Sequence, residues 1–368
     1  MRILVAPDSF KGVLDARRAA HALALGIRRA RPDADVLEIP MADGGEGTLD
    51  ALVDAHKGNR RKVPAIGPLG DPVEAVIGLI REASTAVIEL ASVAGYSLVP
   101  PGLRNPLKTT TYGLGQVVRA VVETEIEQII LTVGGSATVD GGAGMMQALG
   151  MTFFDRAGRP IAHHVAGGDL PNIVRFSWDS PPANFENVQF IVACDVLNPA
   201  CGPNGAAAVF GPQKGADAEG VRVLDRGLSH WADLLEDASG RSIRNEPGTG
   251  AAGGVALPLL ALARAAIVPG IDLVCEATGL PNLIASADLV ITGEGRLDRQ
   301  SMMGKVVGSV GRLARAADVP CIAVVGAAGP GADACLEVLD RFVTLDAPLD
   351  QTERRLAEVA EQIARTFV

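Results

Sequence analysis

The chain has 368 residues, of which 48% are hydrophobic and 4% aromatic, and its formal net charge is −10 at pH 7. This length allows two domains with sizeable cores, and the hydrophobic fraction excludes a disordered chain. The negative charge argues against nucleic acid or an anionic membrane as the main partner, but local positive charge in a cleft would still suit an anionic small substrate.

Targeting signals and cysteine pairs are missing from the sequence pattern. No apolar stretch reaches the roughly 18 residues that span a bilayer, and the apolar start of the chain is stopped at Asp8, too early for a signal segment. The five cysteines form no CxxC motif. We therefore expect a cytoplasmic protein without a disulfide framework or a structural zinc site. The oligomeric state stays open, with a homo-oligomer as one alternative.

Short apolar runs that end in Gly, Asp or Ser repeatedly precede Ala-rich helical stretches. These predicted strands are, in chain order, residues 3–6, 128–133, 190–193, 289–292 and 321–325. Repeated strand–loop–helix units indicate an α/β fold with a largely parallel sheet. Active sites of such folds gather at the carboxyl ends of the strands, which is where the polar and glycine-rich motifs of this sequence lie.

One region breaks this pattern. Residues 73–80 and 86–91 are β-like runs joined by a short polar stretch, and they predict an antiparallel hairpin. A hairpin within a β/α chain suggests a second domain inserted into the first, with residues 1–65 plus 280–368 in one domain and 66–279 in the other. Residues 169–187 predict a long loop, and the end of the chain predicts an amphipathic helix over 351–367.

The densest glycine cluster follows the predicted strand 128–133 and precedes an apolar helix. Its candidate binding residues are Gly134, Gly135, Ser136, Thr138, Asp140 and Gly141. Uncovered backbone N–H groups, hydroxyl donors and a helix N-terminus favour phosphate or substrate binding over a tight packing turn. A GxGxxG pattern at 248–253 follows no strand, so it predicts a phosphate contact or a close backbone approach rather than a dinucleotide site.

Polar residues, all but one of them charged, lie in the other strand–loop motifs. They are Asp8, Ser9, Lys11, Asp43, Asp195, Glu294, Asp298 and Lys305, with Lys214 in a separate glycine-rich turn. Helix capping is the alternative role for the first acidic motifs, and a salt-bridged turn is the alternative at 294–298. A carboxylate after a strand, such as Asp195, can accept a proton from a substrate hydroxyl or help to hold Mg²⁺. The set indicates a Mg²⁺-dependent phosphotransferase acting on a small polar substrate.

Taken together, the motifs resemble those of the bacterial glycerate kinase type I family. The matching stretches are residues 6–12, 40–48, 67–75, 104–113, 134–145, 193–199, 210–215, 250–254 and 288–298. The resemblance implies phosphorylation of D-glycerate to 2-phosphoglycerate by ATP with Mg²⁺. It also implies a flavodoxin-like α/β domain with a second α/β domain inserted, and an active site in the cleft between them.

We expect Lys11 or Lys305 to bind phosphate and Glu294 or Asp298 to hold Mg²⁺. Asp195 would orient the acceptor hydroxyl, so Asp195 and Lys11 are the catalytic candidates. Val139 stands where the family usually has Asn, which makes another small hydroxy acid an alternative acceptor. The remaining alternatives are 3-phosphoglycerate as the product, a non-catalytic ligand-binding regulator on the same fold, and a nicotinamide oxidoreductase that depends on GxGxxG alone.

Overall fold

The computed structural model describes residues 1–10, 12–82, 84–302, 304–346 and 348–367. Its strands are β1 (Arg2–Pro7), β2 (Asp35–Glu38), β3 (Asn59–Ile66), β4 (Pro72–Ile80), β5 (Thr85–Glu89), β6 (Gln128–Thr132), β7 (Thr152–Phe154), β8 (Arg175–Ser177), β9 (Gln189–Ala193), β10 (Ala266–Val268), β11 (Leu289–Leu297), β12 (Cys321–Ala328) and β13 (Arg341–Thr344).

The α-helices are α1 (Ala16–Ala30), α2 (Thr48–Ala55), α3 (Ala91–Ala94), α4 (Tyr112–Val122), α5 (Ala143–Ala148), α6 (Ala206–Phe210), α7 (Ala218–Ser239), α8 (Ala256–Ala263), α9 (Gly270–Thr278), α10 (Leu280–Ala285), α11 (Val306–Ala316) and α12 (Thr352–Thr366). Short 3-10 helices are Tyr96–Leu98, Pro101–Leu103, Gly167–Asn172, Phe185–Asn187, Pro212–Lys214, Ala251–Gly253, Arg299–Met302, Ala332–Glu337 and Leu349–Gln351. Within the described ranges, no helix has both the length and the apolar character needed to cross a membrane.

The chain divides into two compact units. The first comprises Met1–Asp43, Asp50–Ala55 and Pro269–Val368, and the second comprises Gly44–Leu49 and His56–Val268. The domain boundaries predicted near residues 65 and 280 stay predictions.

A five-stranded sheet forms the centre of the first unit, in the order β13-β12-β11-β1-β2. All its neighbouring strands are parallel. Counted along this unit alone, the order is 2-1-3-4-5, which is the flavodoxin-like order. The predicted parallel α/β sheet is confirmed. The strand order reverses between β1 and β11, and open parallel sheets bind ligands at such a switch point.

Helices α1 and α12 pack closely together in the first unit. The Asp15 carboxylate caps α1 by accepting a hydrogen bond from the Arg18 backbone N–H at 2.8 Å. A Cβ added at Gly26 would lie 1.9 Å from the Ala357 carbonyl oxygen, so only glycine allows this approach. The apolar faces of both helices join the strands in one buried core. The amphipathic helix predicted at the end of the chain is confirmed as α12.

The second unit has a six-stranded sheet in the order β10-β9-β6-β5-β4-β3. The predicted hairpin is confirmed as the antiparallel pair β4 and β5, whereas β5, β6, β9 and β10 run parallel. The edge strand β3 was not predicted, because its first half is exposed and charged rather than apolar, as is common on sheet edges. The long loop predicted at 169–187 is wrong in part, since β8 lies within it and pairs with β7.

Candidate active site

A cavity of about 450 Å³ lies at the carboxyl ends of the strands in the first unit. Its polar lining consists of Asp8, Ser9, Glu294, Arg296 and Lys305, and its apolar lining includes Phe10, Val13, Leu345 and Leu349. Asp8 and Ser9 follow β1, and Glu294 and Arg296 lie in β11, so the two strands that flank the switch point supply most of the polar wall. The volume falls within the range of about 300–1,000 Å³ that is usual for small-molecule sites.

Glu294 is a buried carboxyl in the lining of this cavity. Its side chain is 6% exposed, and its Oε1 atom has no hydrogen-bond partner among the described residues. Burial raises the pKa of this carboxyl, a hydrogen bond with Ser301 and the charge of Lys305 oppose the shift, and the negative charges of Asp298 and Asp43 add to it. A buried carboxylate oxygen without a donor is costly, so this position is suited to a cation or a ligand that completes it.

The other acidic residues predicted for the site in this unit are Asp8, Asp43 and Asp298, and their contacts differ from those of Glu294. The Asp8 Oδ1 atom accepts from the Ser9 backbone N–H at 2.6 Å, and Asp43 is buried. Asp298 accepts from the Gln300 N–H at 2.8 Å, and its Oδ2 lies 3.7 Å from the Nε of Arg296. These contacts are those of the salt-bridged turn that was the alternative for this motif.

Of the two lysines predicted in this unit, the structure describes Lys305. Lys305 lines the cavity as the N-terminal flanking residue of α11, where the helix N-terminus adds partial positive charge. Lys11 lies outside the described residues.

In the second unit, Asp140 organises the glycine-rich loop that follows β6. It is fully buried, and its Oδ2 atom accepts from the N–H and the hydroxyl of Thr111 at 2.7 and 2.8 Å. The backbone N–H groups of Gly142 and Gly144 also donate to this carboxylate. Burial raises its pKa while these hydrogen bonds oppose the shift. The carboxylate is thus surrounded by the protein's own donors.

Two of the loop amides expected to receive an anion donate hydrogen bonds within the protein. Gly134 N–H donates to the Gly44 carbonyl at 3.4 Å, and Gly141 N–H donates to the Gly253 carbonyl at 2.9 Å. A Cβ at Gly253 would lie 2.2 Å from the Thr138 carbonyl oxygen. The GxGxxG segment therefore serves the close backbone approach that was one of its two predicted roles. An anion at this loop would meet side-chain donors in place of these two amides.

Lys214 is almost completely buried beneath the loop, at 4% exposure. Its Nζ donates to the Ser136 hydroxyl at 2.6 Å and to the Thr138 carbonyl at 2.8 Å. Because Ser136 Oγ accepts from an ammonium that has no acceptor capacity, the Ser136 proton is directed to another partner. Burial lowers the pKa of Lys214 to about 7, against the opposing effect of Asp140.

Asp195 lies at the same sheet edge as this loop. It directly follows β9, and β9 pairs in parallel with β6, placing Ala193 beside Thr132. Its side chain is half-buried, and its role with a substrate hydroxyl stays a prediction. Burial raises the pKa of the neighbouring Cys194 to about 11, so this thiol is a poor nucleophile. Val139 is fully buried in the hydrophobic core, and its effect on the choice of acceptor stays a prediction.

Two polar residues that shape the second unit were not among the predictions. Thr111 positions Asp140, and the Glu89 Oε1 atom accepts from the N–H groups of Gly47 and Leu49 at 2.9 and 3.0 Å. Glu89 ends an apolar strand, which is the same signal that identified Asp195. Thr111 carried no comparable signal, because its partner is 29 residues away.

The chain was compared with known proteins. The family model described as "Glycerate kinase family" matches residues 3–368. A glycerate kinase of Halalkalibacterium halodurans is 44% identical over 370 residues, covering 98% of this chain and 97% of that protein. The glycerate 2-kinase of Escherichia coli K12 is 39% identical over 375 residues, covering 100% and 98%. A solved glycerate kinase 2 structure from Salmonella typhimurium LT2 matches with a TM-score of 0.85 and 40% identity, covering 100% of this chain and 98% of that one.

Proposed function

The chain belongs to the glycerate kinase family, and we propose on this premise that it transfers the γ-phosphoryl group of ATP to the C2 hydroxyl of D-glycerate. Family membership makes the protein a kinase, a phosphotransferase with an alcohol acceptor, and implies ATP as its co-substrate. The observation that carries the finer proposal is the near-full-length similarity to glycerate kinases, one of which is named glycerate 2-kinase. The product would be 2-phosphoglycerate.

ATP is assigned in this proposal to the cavity of the first unit. Lys305 and Arg296 supply positive charge for phosphate oxygens at the polar wall. The apolar wall suits an adenine ring, and Leu349, 72% exposed, leaves apolar surface for the base to cover. The volume of about 450 Å³ suits a nucleotide better than a three-carbon acid.

The residues of this cavity also fit Mg²⁺. Glu294 would hold the ion through the oxygen that has no protein donor, and Asp8 lines the same cavity. Among the described residues, no group of three or more His, Cys, Asp or Glu side chains could hold a metal alone. Mg²⁺ in phosphoryl-transfer sites usually takes one or two carboxylates and completes its coordination shell with phosphate oxygens and water. When bound, it would neutralise phosphate charge.

The acceptor is assigned to the carboxyl edge of the sheet in the second unit. Ser136, oriented by Lys214, would donate its proton to an anionic acceptor. Asp195 would accept the proton of the attacking hydroxyl as a general base. Asp140 acts in this scheme as a positioning residue, because its oxygens are occupied by loop donors. The role of Lys11 in phosphate binding stays a prediction.

The test is acceptor-dependent formation of ADP. Purified protein with ATP and Mg²⁺ should form ADP rapidly with D-glycerate and much more slowly with other small hydroxy acids. If another hydroxy acid is the better acceptor, that acid rather than glycerate is the substrate. If none of the acceptors in the series supports ADP formation, the proposal is contradicted.

A further inference from the structure

Arg104 is a half-buried arginine whose role the mechanism above leaves open. Its Nη1 donates to the Tyr96 hydroxyl at 2.5 Å, and its Nε donates to the Val99 carbonyl at 3.3 Å. Its Cζ atom lies 3.7 Å from the centre of the Tyr96 ring. None of the described carboxylates forms an ion pair with it. The guanidinium is therefore fixed in place while its charge is left for a ligand to neutralise.

The segment that holds Arg104 lies against the loop after β6. Gly95 forms an antiparallel bridge with Ser136, and the Tyr96 N–H donates to the Gly135 carbonyl at 2.7 Å. On the other side, a Cβ added at Gly215 would lie 2.2 Å from the Arg104 carbonyl oxygen. The chain segments of Arg104 and Lys214 are thus both neighbours of the segment that carries the Ser136 hydroxyl.

The charges of this group favour an anion. The Arg104 guanidinium is positively charged, Lys214 adds positive charge below its pKa of about 7, and the buried Asp140 offsets only part of this charge. Arginine presents its N–H donors in a planar fork that matches the two oxygens of a carboxylate. A side chain that is pinned by a ring and a hydroxyl loses little further entropy when it binds such a group. These are the properties of a site that recognises a carboxylate.

We infer that Arg104 is the specificity-determining residue of the acceptor site, with its guanidinium binding the carboxylate of a small hydroxy acid. Ser136 supplies the second donor, and Tyr96 is a positioning residue that holds the guanidinium. The inference rests on the proposed function and names the group by which the acceptor is selected. Neutral polyols of the same size would lack the recognised group.

The test separates the KM for D-glycerate from the KM for ATP in the variants Arg104→Gln and Arg104→Lys. Losing a charge-assisted pair should raise the KM for D-glycerate about 10- to 100-fold in Arg104→Gln. Arg104→Lys should lose less, and the KM for ATP should stay unchanged in both. With glyceramide, which has no carboxylate, wild type and Arg104→Gln should perform alike.

Arg175→Gln is the matched control, because Arg175 also stacks on a ring, with its Cζ 3.5 Å from the centre of Phe154, but lies in the separate sheet of β7 and β8. It should keep both KM values. Tyr96→Phe keeps the ring but removes the hydroxyl, and should raise only the KM for D-glycerate, by about 3- to 10-fold.

An unchanged KM for D-glycerate in Arg104→Gln, or an equal rise for ATP, would overturn the inference. If wild type uses a different hydroxy acid, the proposed function fails, but the same separation for that acid would keep Arg104 as its carboxylate site. If no acceptor is turned over, thermal stabilisation by D-glycerate decides. Stabilisation lost in Arg104→Gln supports the site, and no stabilisation of wild type overturns it.

Discussion

Glu294 and Thr138 each bury a side-chain oxygen for which the described residues offer no hydrogen-bond partner. Such an atom costs about 1–3 kcal/mol when nothing replaces its hydration. Glu294 lies in the cavity of the first unit, and Thr138 lies in the glycine-rich loop of the second. Glu294 lies in the second half of β11, and Thr138 lies in the loop after β6, so a ligand at the carboxyl ends of these parallel strands would complete them. A buried polar atom without a partner calls for an explanation, and a site for an ion or a ligand is one.

Replacing Glu294 by Gln should separate catalysis from stability. The neutral amide would hold Mg²⁺ poorly, so kcat should fall about 100-fold or more. Stability should not fall, because burial raises the pKa of Glu294 and so penalises its charged form. Because the pKa is higher in the folded than in the unfolded protein, wild type loses stability as the pH rises and the carboxyl ionises. The melting temperature of Glu294→Gln minus that of wild type should therefore be larger at pH 8 than at pH 5.

The control for this variant is Glu353→Gln, which removes an exposed partner of Arg18 in the same unit. It should retain full turnover. Near-normal kcat in Glu294→Gln would remove Glu294 from metal binding, and a melting temperature that drops at pH 8 would show that its charge is satisfied in the folded protein.

Lys214 should make acceptor binding sensitive to pH. Burial lowers its pKa to about 7, and Asp140 is the charged group that acts on it. Above this pKa the amine can still hydrogen-bond Ser136, but it adds no positive charge. We therefore expect the KM for D-glycerate to rise about 3- to 10-fold from pH 6 to pH 8.

The variant Lys214→Met should have a high KM for D-glycerate that changes little over this range. Lys108→Met, at an exposed lysine of the same unit, should keep the wild-type slope. A KM that is flat with pH in wild type, or a Lys214→Met variant that keeps the slope, would contradict this role.

The residue types of the candidate site could be predicted from the sequence, but the contacts of each side chain could not. Asp140 was expected to meet the ligand, and the structure surrounds it with donors from Thr111 and the loop itself. Val139, predicted to affect the choice of acceptor, has its side chain buried in the core. Both outcomes depend on side-chain direction within a loop, which has no periodic pattern to reveal it.

Individual elements were predicted best where the physical signal is local. Apolar runs located β1, β6, β9, β11 and β12, and charge periodicity located α12. The strands β3, β7 and β8 were missed because they are short or exposed and are stabilised by pairing rather than by their own composition. Close contacts between helices could not be predicted either, because a glycine in a helix indicates only a lower helix propensity until the neighbouring helix is known.

Gly26→Ala tests such a contact. Its Cβ would lie 1.9 Å from the Ala357 carbonyl oxygen and force α1 and α12 apart. Overpacking of this kind costs about 1–3 kcal/mol, and the better helix propensity of Ala returns up to about 1 kcal/mol. We expect a melting temperature lower by several degrees, measured by circular dichroism, with unchanged KM values.

Gly102→Ala is the control, because a Cβ there meets nothing within 4 Å. It should melt as wild type does. A Gly26→Ala variant of undiminished stability would show that the two helices can separate at little cost.

At the scale of the whole molecule, the chain combines a net charge of −10 with cationic groups placed at two sheet edges. Lys305 and Arg296 line the cavity of the first unit, and Lys214 and Arg104 flank the loop of the second. Formal charge alone would suggest repulsion of ATP and glycerate, which are both anions. Local placement of cations at strand ends reconciles the acidic composition with anionic substrates.

The measurement that decides most is phosphorus NMR of the product formed from ATP, Mg²⁺ and D-glycerate. Without proton decoupling, phosphorus on C2 couples to a single proton and gives a doublet, whereas phosphorus on C3 couples to a pair of protons and gives a triplet. We predict the doublet of 2-phosphoglycerate, growing as ATP is converted to ADP. A triplet would assign transfer to the C3 hydroxyl, and the absence of any new phosphate ester would contradict a glycerate kinase activity for this chain.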